Sequence, residues 1–369
     1  MMQSFQPATP SDLPAFRVGH AQDKAAGTGC TVILAPEGAV CGVDVRGGGP
    51  ATRETDLLKP ENMIETIHAV VLSGGSAFGL EASCGVMDEL SQRSIGFTLG
   101  PACVPIVTGA CLFDLLVGEN SHPDKAMGRA ATIAAFERTN ELEQGNIGAG
   151  CGATVGKFGA PERAMKSGLG WAGLRLGSVV VVALVAVNAL GHVRNANGDW
   201  IAGELDDNDR VLDPIAAMLN AASALQASGA AASEAVAGGA IDPSSTSPEA
   251  IAANAAVSDS APDPTSAPCT NTTIGCVLTN AKLTKAQATK TSSVTHDAYA
   301  RSIKPVHTSN DGDTIFTFAS GEVEAPLDMV AVMATEAMQA AIENAVNNAE
   351  GAYGLKAAKD ITNAKPKCS

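Results

Sequence analysis

Basic residues are scarce in this sequence: 24 Lys and Arg stand against 39 Asp and Glu, which gives a net charge of -15. Nucleic acid binding requires clustered Lys and Arg that neutralise phosphates, and no such cluster is visible. Long apolar runs are also lacking, since the longest, residues 179–187, is too short to cross a bilayer. The N-terminal residues do not resemble a secretory signal. We expect a soluble, cytoplasmic protein without nucleic acid or membrane partners.

Motifs for disulfide frameworks and metal sites are missing as well. The nine cysteines are scattered without a CxxC pair, and the six histidines form no HExxH motif. An odd number of cysteines without paired spacing argues against a disulfide framework. The histidine spacing argues against a zinc site, so no metal is expected.

What the sequence does contain is apolar volume. Of its 369 residues, 45% are hydrophobic and 17% are charged, which is enough to bury a large core. The length allows either two domains or one large layered α/β domain.

Strand and helix patterns alternate along the first half of the chain. Residues 30–45 predict a hairpin that turns at Pro-Glu-Gly, and the Gly-rich residues 46–50 end it. Residues 60–73 predict a helix followed by a buried strand, and 77–92 predict a helix. The β-branched run 179–187 predicts a strand covered on both faces.

The second half predicts further α/β structure after a loose segment. Residues 221–268 are rich in Ala, Ser, Pro and Gly and predict a helix followed by a flexible linker. Residues 272–279 then predict a core strand. A helix at 285–302, a strand at 314–319 and a helix at 327–348 complete the pattern.

Two familiar motifs fail in detail. Residues 150–157, GCGATVGK, nearly match a phosphate-binding loop, but Lys157 is followed by Phe158 rather than Ser or Thr, so ATP binding is poorly supported. Residues 74–78 nearly match the G-x-S-x-G nucleophile elbow, but the last position is Phe78. A serine hydrolase of that kind remains a minor alternative.

A third constellation has a consistent chemistry. Asn271 and Thr272 open a strand directly after the loose segment, and Asp311 and Asp313 follow in an Asp-Gly-Asp sequence. If the Thr272 hydroxyl attacks the preceding carbonyl, the ester that forms can hydrolyse and leave Thr272 with a free amine. An α-amine has a pKa of about 7.7 to 8, which allows it to act as a general base near neutral pH. Nucleophile and base then share one residue.

Each residue also has an ordinary structural explanation. Asn-Thr-Thr is a common strand opening and a glycosylation sequon, and Asp-Gly-Asp is ordinary turn chemistry. Lys157 could be a solvated charge and Asn188 a loop cap. Extended chain would place Asp311 and Asp313 on one side, where they could hold an ammonium group.

Several segments, taken in order, resemble the family that includes the L-aminopeptidase/D-esterases, the β-aminopeptidases and the nylon-oligomer hydrolase. They are FRVGHAQD from Phe16, GCTVILAPEGAVCGVDVRGG from Gly29, TRETDLL from Thr52, HAVVLSGGSAFGLEA from His68, PDKAMGRA from Pro123, GAGCGATVGK from Gly148, NTTIG from Asn271 and PVHTSNDGDTIF from Pro305.

The resemblance implies a single catalytic domain over residues 1–369, with the four-layer αββα sandwich of proteins similar to the N-terminal-nucleophile hydrolases. It also implies cleavage between Asn271 and Thr272, giving an α subunit, 1–271, and a β subunit, 272–369. The expected substrate is a short peptide or amide, and the αβ units are expected to form a homo-oligomer. No cofactor is implied, because the protein supplies nucleophile, base and donors.

The resemblance assigns roles residue by residue. Thr272 matches the nucleophile, Asn188 the oxyanion donor, and Lys157 a lysine of the nylon-hydrolase active site. Asp311 and Asp313 match its acidic pair, where the aminopeptidases have Ser and Glu and a Ser nucleophile.

The substrate-binding residues follow from the same comparison. The aminopeptidases bind the substrate's amine with an acid in the segment aligned with residues 109–114, where this chain has Phe113 and, as its only acid, Asp114. Strict aminopeptidase specificity is therefore not expected. Phe113 and Gly74, Gly75 and Ser76 are expected to line the substrate cleft, although the last three could equally serve tight strand-to-helix packing.

Two other functions are compatible with the sequence. Ornithine acetyltransferases share the fold, cleave before a threonine and pass the acyl group to an amine instead of water. A binding protein that has kept the fold but does not cleave itself is the second alternative.

Overall fold

A computed structural model describes residues 5–137, 142–159, 161–223 and 271–362 of the chain. Residues 214–223 are helical, and the rest of the predicted linker lies outside the described residues. Within the described part, no helix is both long enough and apolar enough to span a membrane.

Strands form the centre of the molecule and helices its outer layers. The strands are β1 (Gln6–Ala8), β2 (Arg17–Asp23), β3 (Thr28–Val45), β4 (Ala51–Arg53), β5 (Ile67–Ser73), β6 (Phe97–Leu99), β7 (Ala102–Val104), β8 (Val107–Cys111), β9 (Thr154–Val155), β10 (Met165–Lys166), β11 (Leu169–Leu176), β12 (Val179–Asn188), β13 (His192–Arg194), β14 (Trp200–Ala202), β15 (Thr272–Ala281), β16 (Ile303–Lys304) and β17 (Thr314–Val323). Besides the helical residues 214–223 and several short 3-10 helices, the described part of the chain contains the α-helices α1 (Ala82–Gln92), α2 (Lys125–Glu137), α3 (Lys285–Ser302), α4 (Leu327–Asn347) and α5 (Ala358–Thr362).

The main strands pair in the order β1-β11-β12-β15-β17-β3-β5-β8-β4, and β2 also pairs with β3. The pairs β15–β17 and β5–β8 are parallel, and the other pairs are antiparallel. The long strand β3 joins two halves of this array, because its first part pairs with β2 and β5 and its last part with β17.

The hairpin predicted for residues 30–45 is wrong, because this segment is the single strand β3. Its pairing with β5 shifts in register between Leu34 and Ala39, and Gly38 has a left-handed φ of 79°. A bulge of this kind bends a strand without reversing it. The Pro-Glu-Gly sequence therefore marks where the strand passes from one half of the array to the other.

Three hydrophobic clusters separate four layers. The first packs α3 and α4 on the outer face of β12, β15 and β17, with Val181, Val277 and Met338 among its members. The second lies between the two halves of the array and includes Ile33 and Val182. The third packs α1 and α2 on the face of β2, β3 and β5. The order helix, sheet, sheet, helix confirms the predicted αββα sandwich.

The buried strand predicted before Ser73 is confirmed as β5, and the helices predicted at 285–302 and 327–348 are confirmed as α3 and α4. No helix forms at residues 60–66. There the backbone carbonyls of Asn62 and Ile64 accept hydrogen bonds from the Lys285 Nζ, at 2.8 and 3.0 Å. A distant lysine thus satisfies carbonyls that a helix would otherwise pair internally. The predicted helix at 77–92 begins as a 3-10 helix, Ser76–Glu81, before α1.

Candidate active site

Thr272 is the first residue of β15, a strand held between β12 and β17 at the middle of the array. It pairs with Asn188, the last residue of β12. The Thr272 hydroxyl donates to the carbonyl oxygen of Asn271, and it accepts a hydrogen bond from the Gly312 N–H at 3.2 Å. The hydroxyl therefore lies against the peptide bond that the sequence predicts to be cleaved.

Residues 305–313, here called the acidic loop, connect β16 to β17, carry Asp311 and Asp313, and face the start of β15. Asn271 forms a parallel bridge with Asp311, and the Thr273 N–H donates to the Asp313 Oδ1 at 2.7 Å. The Asp311 Oδ2 accepts bonds from the N–H and hydroxyl of Thr308, at 2.9 and 2.6 Å. The structure thus brings both aspartates to the nucleophile strand, but the hydrogen bonds of the described residues join neither carboxylate to Thr272 itself.

The glycine loop after β3 supports the acidic loop. The Gly48 N–H donates to the Thr308 carbonyl at 3.1 Å, and the Gly49 N–H to the Asp311 carbonyl at 2.8 Å. A Cβ on Gly47 would lie 2.2 Å from the Asp311 carbonyl oxygen. The sequence pattern predicts only that these glycines end a strand, although three consecutive glycines also permit close backbone approach.

His307 also contacts the site, although the sequence analysis assigns it no role. Its Nδ1 lies 2.8 Å from the Asp313 Oδ2, and its backbone N–H donates to the same oxygen at 3.1 Å. The signal was present, because His307 falls inside the segment from Pro305 that carries the family resemblance.

Asn188 and Lys157 form a second polar group beside Thr272. The Lys157 Nζ donates to the Asn188 Oδ1 at 2.9 Å, and the Asn188 Nδ2 donates to the Phe113 carbonyl at 2.8 Å. The Thr154 N–H also donates to the Asn188 Oδ1, at 3.1 Å. Lys157 is therefore bonded and partly buried rather than a solvated surface charge.

Burial shifts the charge states of this site. It lowers the pKa of Lys157 to about 7, against the opposing pull of the Asp311 and Asp114 charges. Burial, followed by the charge of Asp313, raises the pKa of Asp311, while Thr308 and Lys157 act in the opposite direction. Proton-accepting groups poised near neutral pH are typical of active sites.

A cavity of about 340 Å³ opens beside this group. Its lining combines apolar and charged side chains: Phe113, Asp114, Leu116, Val117, Gly118, Thr154, Lys157, Glu162, Ala164, Tyr353 and Leu355. Phe113, which the resemblance places in the substrate cleft, lines this cavity.

Gly74, Gly75 and Ser76 are not part of that lining. A Cβ on Gly74 would lie 2.1 Å from the Asp114 Oδ2, and the Gly75 N–H donates to the Asp114 Oδ1 at 2.7 Å. These contacts match the packing alternative for the glycines. Burial raises the pKa of Asp114 to about 6, and both its oxygens accept hydrogen bonds, the second from Thr28.

The serine hydrolase alternative gains little support. Ser76 has a left-handed φ of 53° between a strand and a helix, as a nucleophile elbow requires. However, the hydrogen bonds of the described residues include none between its hydroxyl and a histidine. His122, whose Cβ lies near Gly75, has its Nε2 3.7 Å from Glu81 instead.

Residues that could hold a metal are not clustered in the described part of the chain, where no group of three or more His, Cys, Asp or Glu has a suitable arrangement.

Comparisons with known proteins identify the family of this chain. Residues 10–365 match the model of Peptidase family S58. An uncharacterized aminopeptidase of Mycobacterium tuberculosis (strain ATCC 25618 / H37Rv) is 35% identical over 331 residues, covering 86% of this chain and 82% of the relative. A 6-aminohexanoate-oligomer endohydrolase of Paenarthrobacter ureafaciens is 31% identical over 316 residues, covering 85% and 76%.

Solved structures show the same fold at low sequence identity. A β-aminopeptidase from Burkholderia sp. superposes with a TM-score of 0.62 at 17% identity, over 100% of this chain and 98% of that chain. An L-aminopeptidase D-Ala-esterase/amidase from Ochrobactrum anthropi, described as a variant of the Ntn hydrolase fold, gives 0.60 at 16% identity, over 97% and 92%. The chain therefore belongs to peptidase family S58 and is a hydrolase with an N-terminal-nucleophile-hydrolase fold.

Proposed function

We propose that this hydrolase activates itself by cleaving the Asn271–Thr272 bond and then uses Thr272 to hydrolyse amides through an acyl-enzyme. The observation that carries the proposal is the position of the Thr272 hydroxyl, against the Asn271 carbonyl and within reach of the Gly312 N–H. Attack within one residue requires no diffusion, and a hydroxyl already in place removes most of its entropic cost.

The cleavage step forms an ester and releases an amine. The Thr272 oxygen bonds to the carbonyl carbon of Asn271, the carbon–nitrogen bond breaks, and the nitrogen takes up a proton to become the Thr272 amine. Water then hydrolyses the ester, leaving Asn271 with a carboxylate. Before cleavage the Thr272 nitrogen is an amide and cannot act as a base, so another group must accept the hydroxyl proton. Lys157, with its pKa lowered to about 7, is half neutral near neutral pH.

The mature site repeats this chemistry on a substrate. The free amine of Thr272 takes the hydroxyl proton, the hydroxyl attacks the substrate carbonyl, and the amine protonates the leaving nitrogen. Asn188 stabilises the oxyanion through its Nδ2, the side-chain nitrogen that also donates to the Phe113 carbonyl. The aspartates fix the backbone around Thr272, and Lys157 tunes its charge.

The substrate we propose is a short peptide or a linear amide oligomer. The relatives are named as aminopeptidases and as 6-aminohexanoate-oligomer endohydrolases. The cavity offers apolar walls at Leu116, Val117 and Leu355 and an acid at Glu162. Such a lining suits an aliphatic chain with an amino group near one end.

Intact mass spectrometry tests the self-cleavage. Wild type should give two fragments, of which the lighter begins at Thr272, and Thr272→Ala should give one uncut chain. Thr272→Ser keeps a hydroxyl and should still cleave. Thr273→Ala is the matched control, because it removes the neighbouring hydroxyl and should leave the cleavage position unchanged.

An uncut wild-type chain after long incubation would contradict the proposal and favour a binding protein. Incubation of the cleaved protein with added amines separates hydrolysis from acyl transfer. Transfer in preference to hydrolysis would replace the proposed hydrolysis with an acyltransferase reaction.

A further inference from the structure

His307 holds the Asp313 carboxylate by two contacts, and Asp313 in turn holds the nucleophile strand. Both the Nδ1 and the backbone N–H of His307 meet the Asp313 Oδ2, while the Asp313 Oδ1 accepts the Thr273 N–H. The carboxylate is 2% exposed at its side chain. This chain of contacts ends at the peptide group that joins Thr272 to Thr273.

The arrangement is costly for His307. Its φ is 56°, in the left-handed region that is uncommon for residues other than Gly, although Asn, Asp and His adopt it more often than the rest. Its Nε2 is buried and has no hydrogen-bond partner among the described residues. A buried polar atom left without a partner destabilises the folded state. Strain of this kind is characteristic of functional sites.

The ring of His307 is held in place by two neighbours from α3. Its centroid lies 4.8 Å from that of His296, in an edge-on arrangement, and 6.0 Å from that of Tyr299, in a stacked one. The imidazole therefore presents a fixed edge to Asp313.

Cleavage changes what holds Thr272. In the uncut chain, covalent bonds fix this residue on both sides. After cleavage Thr272 is a chain terminus, and termini fray unless tied down. The bond from the Thr273 N–H to Asp313 is then one of the restraints at the new terminus, together with the Gly312 N–H on the Thr272 hydroxyl and the strand pairing with Asn188.

We propose that His307 is a positioning residue: by holding Asp313 it fixes the Thr272–Thr273 peptide group, and so keeps the terminal nucleophile aligned after cleavage. This inference rests on the proposed role of Thr272. The positioning role predicts different effects on the two reactions. Turnover by the mature protein depends on the restraint that His307 and Asp313 place on Thr272 more than self-cleavage does.

The test compares His307→Ala, His307→Asn and wild type in two assays. One follows self-cleavage by intact mass; the other measures kcat and KM of the cleaved protein on the amino-acid p-nitroanilide that wild type hydrolyses fastest. Since a displacement of about 1 Å can cost roughly 100-fold in rate, His307→Ala should lower kcat by about 10- to 100-fold with KM changed by less than about threefold. Self-cleavage should slow by a smaller factor.

His307→Asn should restore kcat to within about fivefold of wild type, because an Asn amide can occupy the Nδ1 position and Asn tolerates a left-handed φ. His68→Ala is the control. It also removes a buried imidazole, whose Nδ1 accepts the Ile106 N–H, but it lies on β5 and should leave kcat unchanged.

Equal losses in both reactions, or no rescue by His307→Asn, would overturn the positioning role while leaving the Thr272 nucleophile intact. If His307→Ala fails to fold, His307→Asn is compared with wild type alone. A loss of kcat beyond about tenfold in His307→Asn then also contradicts the inference. A wild type that neither cleaves itself nor hydrolyses any anilide would instead contradict the proposed function.

Discussion

Asn188 is 0% exposed and sits at the meeting point of three segments. Its Oδ1 accepts bonds from Lys157 and Thr154, and its Nδ2 donates to Phe113. A buried amide with this many partners is rigid, so its Nδ2 points in a fixed direction. Rigid donors are what oxyanion stabilisation requires, because they need no reorganisation during the reaction.

Replacing Asn188 with Ala should lower turnover by about 10²- to 10³-fold, the usual cost of losing one oxyanion donor. Thr154→Val is the matched control. It removes the hydroxyl that lies 3.3 Å from the Asn188 Oδ1 but leaves the proposed donor, the Asn188 Nδ2, in place. We expect it to retain activity within about fivefold. Enzyme kinetics and urea unfolding are measured on both variants. If the loss of stability alone accounts for the loss of turnover, the assignment is contradicted.

Among the elements, the loop before Lys157 depends on a second lysine. Lys166, on β10, is 0% exposed, and its Nζ donates to the carbonyls of Gly150, Ala153 and Ser167. The near match to a phosphate-binding loop is thus a loop whose carbonyls turn inward onto an ammonium group. A phosphate-binding loop instead directs its backbone N–H groups at the ligand.

Stability should depend on pH through Lys166. Burial lowers its pKa from 10.5 to about 7, against the opposing charges of Cys151 and Asp114. Between these values the unfolded chain binds more protons at Lys166 than the folded chain does. The contribution of Lys166 to the free energy of unfolding therefore falls as the pH decreases from about 10 to about 7 and levels off below that.

Lys166→Met removes this dependence. We therefore expect the free energy of unfolding of wild type, minus that of Lys166→Met, to fall by up to about 1.4 kcal/mol per pH unit from pH 9 to pH 7. Urea unfolding at pH 7, 8 and 9 measures the difference. A constant difference would mean that the three carbonyls keep Lys166 charged in the folded state.

For the whole molecule, the proposed cleavage falls at the start of its central strand. The β subunit, 272–369, would supply β15, β17, α3 and α4, and β15 is buried along its whole length between β12 and β17. The outer core on these helices also draws on both sides of the cut, for example Val181 with Met338. Burial of this extent between two chains is typical of obligate interfaces.

The two fragments should therefore remain associated after cleavage. We expect them to elute together in gel filtration under native conditions and to separate in denaturant. Co-elution should persist at high salt, because the contact is hydrophobic rather than ionic. Separation in native buffer would contradict this prediction. Assembly of αβ units into a homo-oligomer and a cytoplasmic location stay predictions.

Sequence patterns succeeded where one segment decides its own structure. The β-branched run at 179–187 forms β12, and α3 spans the predicted 285–302. The resemblance also selected Thr272, Asn188, Lys157, Asp311 and Asp313, which the fold brings to neighbouring strand ends. Patterns failed where a distant contact decided, as at residues 60–66, whose carbonyls bind Lys285.

The sequence by itself determined the α/β class through its local patterns, and its ordered motifs carry the family resemblance that implies the residues proposed for the chemistry. Only the tertiary structure decided that β3 continues through its Pro-Glu-Gly segment, that Gly74 and Gly75 pack on Asp114, and that His307 holds Asp313. Each of these depends on the distance between groups in space, and on whether a buried polar atom has a partner. Local sequence does not specify either quantity, because the partners come from other segments of the chain.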